Sequence, residues 1–319
     1  MTAPDPAHIA RFVADLAALC GPGDRLLLAV SGGPDSLAML LIAHAAIPQR
    51  IACATVDHGL RAAAADEAAM VAAVCTGRGI PHATLHPDPP LEPGGNVQAR
   101  ARTARYDALA AHAGATGCVA ILTAHHADDQ AETLLMRASR GSGVDGLAGV
   151  RAAGKWGGIA VLRPLLGWRR AELVAIVEAA GLTASDDPSN RDPAHDRSRI
   201  RGLIRGSGDI DPVGLARSAA ALADASDALR WSMERLVAER ITASGRSCAI
   251  DSAGLPREYR RRLLAHGLAA LGEAAPRGPA LDRLLAALDA GESAMLGATL
   301  ARVEGAIWRL VPAAPRRSH

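Results

Sequence analysis

Between Asp24 and Val30 the chain reads "DRLLLAV", an apolar block of buried-strand length. "SLAMLLIAHAAI" (36–47) follows at helix length, "RIACATVDHG" (50–59) reads as a strand, and "AADEAAMVAAVCTGRG" (64–79) as the next helix. "NVQARARTARYDALAAHAGATG" (96–117) is a helix pattern with a glycine-rich end. "CVAILTAH" (118–125) reads as a third strand and "DDQAETLLMRAS" (128–139) opens a further helix. Strands alternating with helices predict an α/β fold, a Rossmann-like, mainly parallel sheet with helices on both faces. Ligands bind such sheets at the carboxyl ends of the strands. "SGGPDS", "VDHG" and "TAHHADD" all fall at those ends, so three polar clusters converge on one edge.

The pattern changes near residue 205. "DDPSNRDPAHDRSRIRGLIRGSGDIDP" is rich in turn formers and charges. A boundary there divides the chain into a sheet domain, 1–205, and a smaller, mainly helical domain, 206–319. A long helix is expected from about Gly214 to Ser244, with Leu215, Leu222, Leu229 and Leu236 spaced by sevens. That stripe packs on neighbouring helices of the same chain, or it pairs two chains as a homodimer. Two helix-like segments follow. "AMLGATLARVEGAIWRLV" then looks like short strands joined by a turn at Glu304 and Gly305, and "PRRSH" like a frayed basic tail.

Composition narrows the class. Hydrophobic residues make up 49% of 319, enough for a core, and the net charge of +2 neither demands nor excludes a nucleic-acid partner. Aromatics at 2% argue against a base-stacking platform. Lys155 is the one lysine, so 35 Lys+Arg less one leaves 34 arginines, and what matters is where they cluster. Cys20, Cys53, Cys75, Cys118 and Cys248 are scattered and form no C-x-x-C pair, against a zinc ribbon, an iron–sulfur site or a disulfide framework. Cys53 and Cys118 lie in apolar runs and read as core residues. No signal peptide or membrane span is visible. A reducing, cytoplasmic setting is expected.

The loop after the first strand carries the most chemistry. Ser31, Gly32 and Gly33 let backbone N–H groups turn inward as an anion nest, and Pro34, Asp35 and Ser36 open a helix whose positive end faces the same space. The Gly-Lys-Ser/Thr of a kinase or GTPase loop is missing. A backbone grip on the β- and γ-phosphates suits pyrophosphate as a leaving group while the α-phosphorus is attacked. Asp35 is then a candidate Mg²⁺ ligand.

"SGGPDS" resembles the pyrophosphatase-loop signature of ATP-dependent adenylating enzymes. With "VDHGLR" (56–61), "ARTARYDAL" (101–109), "HHADDQAETLLMRASRGSG" (125–143), "RPLL" (163–166) and "DDPSN" (186–190), the chain resembles the tRNA(Ile)-lysidine synthase family in its compact form. The match is dense from about residue 24 to 201 and thins beyond 206. The resemblance implies an adenine nucleotide alpha-hydrolase-like fold and a two-step reaction. ATP adenylates the wobble cytidine of the CAU anticodon of tRNA(Ile). Free L-lysine then displaces AMP to give lysidine, and the tRNA changes from methionine to isoleucine identity. Gln98 stands where the family usually has glutamate, and Ser198 where it usually has asparagine. A salt bridge expected at the first and a polar reach at the second are thereby put in doubt.

The residues fit that chemistry. Only a neutral amine attacks, so a carboxylate must hold lysine's ammonium and take its proton. Asp129 and Glu132, with Asp128 beside them, supply one. Asp128 and Asp129 also sit where helix caps sit, whereas Glu132, one turn in, has no evident structural task. His125 and His126, like His58, either contact the nucleotide or pack at strand ends. Arg102 and Arg105 share a helix face, Arg140 opens "RGSG", and Arg197, Arg199, Arg201 and Arg205 form the densest basic run. These are candidate contacts to the tRNA backbone, or else a solvated face. A tRNA thiolase would need cysteine pairs that the chain lacks; a silent nucleotide-binding protein would have no use for an intact "SGGPDS" and "DDQAET".

Overall fold

The computed structural model describes residues 3–59, 62–89, 97–185, 196–274, 276 and 278–313. The motif "DDPSN", the end of "VDHGLR" and the basic tail lie outside them. The chain forms two compact units, Met1–Asp224 and Ala225–His319.

The first unit runs α1 (Pro6–Ala17), β1 (Leu26–Ala29), α2 (Pro34–Ala46), β2 (Ile51–Val56), α3 (Ala62–Thr76), β3 (His82–Leu85), α4 (Val97–Ala115), β4 (Ala120–Leu122), α5 (Ala127–Ala138) and the one-turn α6 (Val144–Leu147). It continues through β5 (Ala153–Trp156), β6 (Ile159–Leu162), α7 (Arg170–Ala179), α8 (Asp196–Gly206) and the start of α9 (Pro212–Arg240). Six strands form one sheet in the order β3-β2-β1-β4-β6-β5. All neighbours are parallel except β5, which runs antiparallel to β6. The order reverses at β1, so the crevice between β1 and β4 is the topological switch point where such sheets bind ligands.

The alternation of strand and helix located β1, β2 and β4 and the expected parallel sheet. It did not mark β3, β5 or β6, each a run of four residues. β1 is apolar throughout because both its faces are covered. Leu26 and Leu28 join Phe12, Leu37, Leu40 and Trp168 on one side, and Leu27 joins Tyr106, Leu109 and Ile121 on the other. Cys53 and Cys118 are buried in these two cores.

In the second unit, α9 gives way to β7 (Ile241–Ser244), β8 (Ser247–Asp251), α10 (Arg257–Ala270), α11 (Gly278–Asp289), β9 (Ala294–Leu296), β10 (Thr299–Glu304) and β11 (Ile307–Pro312). The strands form an antiparallel sheet, β7-β8-β11-β10-β9. Leucines of α10 and α11 pack on Ile250, Trp308 and Leu310 from it. The β10–β11 turn falls where expected, with Gly305 at φ +65°. The helix expected to reach Ser244 stops at Arg240. Ile241 and Thr242 are β-branched, and Gly245 at φ +58° turns the chain back so that Ile241 pairs with Ile250. The spaced leucines of α9 are each half-buried.

One lock holds α5 to the segment that leads into β5. The Gln130 amide donates to the Val150 carbonyl at 2.7 Å and accepts from the Val150 N–H at 2.7 Å. Gly149 permits this: its φ is +65°, and a Cβ there would lie 2.5 Å from Gln130 Oε1. Gly149→Ala should break the pair and cost about 1–3 kcal/mol of stability. Urea denaturation followed by circular dichroism measures it; an unchanged midpoint would contradict the lock.

Candidate active site

The loop after β1 is held from three directions. Ser36 Oγ accepts from the Ser31 N–H at 3.2 Å, lies 3.3 Å from Ser31 Oγ, and donates to the Gly33 carbonyl at 3.0 Å. Gly32 sits at φ +87°, its carbonyl accepts from the Ser185 N–H at 2.9 Å, and a Cβ there would meet Met70 at 3.1 Å. Gly33 is the N-cap of α2 and offers no side-chain cap, while Pro34 sets the first turn. The first N–H groups of the helix are left for an anion.

Asp35 stands in that first turn. Its Oδ1 is buried with no hydrogen-bond partner, although the Arg170 Nε lies 3.6 Å away. Its Oδ2 lies 3.6 Å from His126 Nε2. A carboxylate oxygen that accepts no hydrogen bond and has only a long ion pair to Arg170 suits a hard cation. Among the described residues no three His, Cys, Asp or Glu are grouped to hold a metal by themselves. One carboxylate plus phosphate oxygens and water is the way Mg²⁺ is usually held.

His126 caps α5, in a reciprocal pair with Asp129: the Asp129 N–H reaches His126 Nδ1 at 3.4 Å, and the His126 N–H reaches Asp129 Oδ2 at 3.2 Å. The ring is 2% exposed. Burial works against its protonated form, but Asp35, Asp129 and Asp128 outweigh burial and raise its pKa. Asp129 is half-buried, and its partial desolvation favours the acid form. His126, Arg197 and His125 reverse that and hold it below the usual carboxylate value. Asp128 accepts from the Arg170 N–H at 2.8 Å, so it caps α7 rather than its own helix.

Glu132 does have a structural task. It is 2% exposed, and two arginines of α8 close on it. Arg197 Nε donates to Oε2 at 2.7 Å, and Arg201 Nε donates to Oε1 at 2.6 Å. Arg197 also reaches Asp129 Oδ1 at 3.0 Å through Nη2. A continuous chain of polar contacts results: Asp35, His126, Asp129, Arg197, Glu132, Arg201. Arg140 and Arg199 both pair with Asp196 at the start of α8.

The other candidates stand nearby or apart. His125 Nδ1 lies 2.9 Å from Thr123 Oγ1. Burial, opposed by Asp129 but helped by Arg163, Arg102 and Arg197, brings its pKa down to about 4, so the ring is neutral at pH 7. His58 accepts from Arg105 Nε at 3.4 Å through Nε2, and its Nδ1 is buried without a partner. Burial and then Arg105 lower its pKa against Asp57. The neutral ring therefore carries its proton on Nδ1, a free donor. Arg102 is exposed and lies over the Tyr106 ring at 5.0 Å.

Sequence reasoning missed Arg170 and Arg163. Arg170 opens α7, where a cation opposes the helix dipole, and that misplacement was the available signal. Arg163, just past β6, opens the "RPLL" motif, and that was its available signal.

The description "PP-loop domain" fits residues 5–206, by a family model. Among solved structures, the U34-tRNA thiolase NcsA from Methanococcus maripaludis with its 4Fe-4S cluster aligns with a TM-score of 0.58. It is 16% identical and covers 68% of this chain and 79% of that one, so the likeness is one of fold. Fold and site together define a PP-loop, ATP-utilising protein. A tRNA(Ile)-lysidine synthase from Novosphingobium aromaticivorans is 50% identical over 97% of this chain and 94% of its own. Another from Zymomonas mobilis is 41% identical over 92% and 90%. The chain belongs to the tRNA(Ile)-lysidine synthase family.

His126 yields a pH test. Its folded pKa lies above the ordinary 6.5. Its charge therefore stabilises the fold fully below that value, and the contribution is lost as pH rises through the raised one. His126→Asn keeps a capping acceptor and removes the charge. The variant's stability deficit, from urea midpoints, should be larger at pH 6 than at pH 9; equal deficits would contradict the assignment.

Proposed function

We propose that the first unit adenylates the wobble cytidine of tRNA(Ile) and passes the activated base to free L-lysine. Membership in the family makes the chain an ATP-dependent ligase that forms lysidine on tRNA. The observation that carries the division of labour is Arg197. Its guanidinium bridges Asp129 and Glu132, so a cation already occupies the gap where an incoming ammonium would bind.

In the first step the cytidine carbonyl oxygen attacks the α-phosphorus and pyrophosphate leaves. Ser31, Gly32, Gly33, Pro34 and Ser36 hold the leaving group through backbone N–H groups and hydroxyls. Asp35 is the residue for Mg²⁺, with its unpartnered Oδ1. The ion would neutralise charge on the departing pyrophosphate. His58 offers its free Nδ1 proton to the nucleotide, and His125 a neutral ring.

In the second step the ε-amine attacks the activated ring carbon and AMP departs. Bringing an amine from a pKa near 10.4 to neutrality at pH 7 costs about 4.6 kcal/mol. Asp129 and Glu132 bind the ammonium in place of Arg197 and accept the proton. Arg197 and Arg201 then balance the charge. Arg102, Arg105 and Arg140 suit the tRNA backbone. A CAU anticodon also occurs in methionine tRNA, so discrimination needs contacts beyond one nucleotide; residues from 206 onward supply them. No described helix is long and apolar enough to cross a membrane. The cytoplasm, where free lysine and tRNA meet, is the expected setting.

The direct test combines protein, ATP, Mg²⁺, lysine and unmodified CAU-anticodon tRNA, followed by nucleoside analysis. Lysidine should appear, and Asp35→Ala should abolish it with tRNA binding nearly intact. Glu132→Gln should still release pyrophosphate, with lysine KM raised by about tenfold or more. Loss of pyrophosphate release in Glu132→Gln would instead make that residue part of the ATP site.

A further inference from the structure

Arg163 leaves the sheet at the end of β6 and is 9% exposed. Its Nη1 donates to the Arg151 carbonyl at 2.8 Å, which fixes one corner of the guanidinium. Its Nε is buried and has no hydrogen-bond partner. Arginine does not shed its proton to escape burial, so the charge stays. An unmet N–H on a buried cation is costly and calls for an anion from elsewhere.

Strand register fixes the neighbourhood. Leu122 pairs with Leu162, and the Thr123 N–H donates to the Leu162 carbonyl at 3.0 Å. Arg163 and Thr123 are therefore side by side, and His125 is tied to Thr123. The His125 ring senses Arg163, Arg102 and Arg197 together. Arg163 thus stands beside the strand end from which α5, carrying Asp129 and Glu132, departs, and Thr123 and His125 link the two.

The phosphate loop follows β1, two strands away, or about 10 Å. The triphosphate is served there. The corner at Arg163 faces a different requirement, a small planar anion close to an ammonium site. An amino acid with a basic side chain has that shape and charge order. A guanidinium fork matches a carboxylate in pairs of hydrogen bonds.

We propose that Arg163 binds the α-carboxylate of the lysine substrate and so selects an amino acid over a simple diamine. This rests on the reading that Asp129 and Glu132 take the ε-ammonium. The rival occupant is a phosphate of ATP or tRNA.

The test uses the full chain, CAU-anticodon tRNA and two amines, lysine and cadaverine, which lacks the carboxylate. Arg163→Met should raise lysine KM by about tenfold or more and leave cadaverine KM unchanged. Pyrophosphate release without amine should stay within about twofold of the wild type. Arg163→Lys, which keeps charge without the fork, should show a smaller penalty confined to lysine. Should Arg163→Met melt early, Arg163→Lys decides, beside wild-type protein given lysine amide, which should behave like cadaverine. Equal penalties on both amines, or lost pyrophosphate release, would overturn the proposal in favour of a phosphate or a structural role. Failure of the underlying reading looks different: Glu132→Gln would leave both amine KM values unchanged, or the wild type would make no lysidine.

Discussion

A carboxylate shut away from water needs cations beside it, and Glu132 obtains two from α8. Breaking one partner of such a pair is far costlier than the pair's net worth, because the remaining charge is stranded. The need is met from 65 and 69 residues along the chain. It therefore docks α8 on α5 and draws Arg197 up to Asp129. The loop, the acidic group and the arginines become one site through this contact.

Guanidinium and carboxylate groups alternate along that site, Asp129, Arg197, Glu132 and Arg201 each meeting an opposite neighbour. Such a network is rigid while every member is paired and costly when one is left without its partner. In the proposed second step, an ammonium entering between Asp129 and Glu132 would replace a guanidinium of the same sign. The two histidines at the end of β4 divide in the same field. His126, among carboxylates, has its pKa raised against burial, and His125, lowered by burial and then by nearby guanidinium groups, is kept neutral. Adjacent identical residues are thus shifted in opposite directions, because the ring environments differ while the sequence spacing does not.

Much was legible beforehand. The apolar run of β1 and the continuous burial of α2 follow from strand and helix lengths alone. So does the glycine loop between them, since the left-handed Gly32 needs no Cβ. The "DDQAET" helix start was readable as a cap-rich, acidic turn. β3, β5 and β6 were not, because four residues carry too little periodicity to separate strand from loop. The strand at Ile241 was lost for another reason. Helical spacing of leucines ran up to its border, and only pairing with β8 overrides it.

By itself the sequence determined the class of fold, the phosphate loop and the acidic helix, since local backbone preference and side-chain type suffice for each. It could not determine which charges meet. That Glu132 anchors α8, that Asp128 caps α7 instead of α5, and that Arg163 is buried with an unmet donor depend on partners far away along the chain. Coulomb attraction and desolvation act through space, so only the tertiary structure decided them.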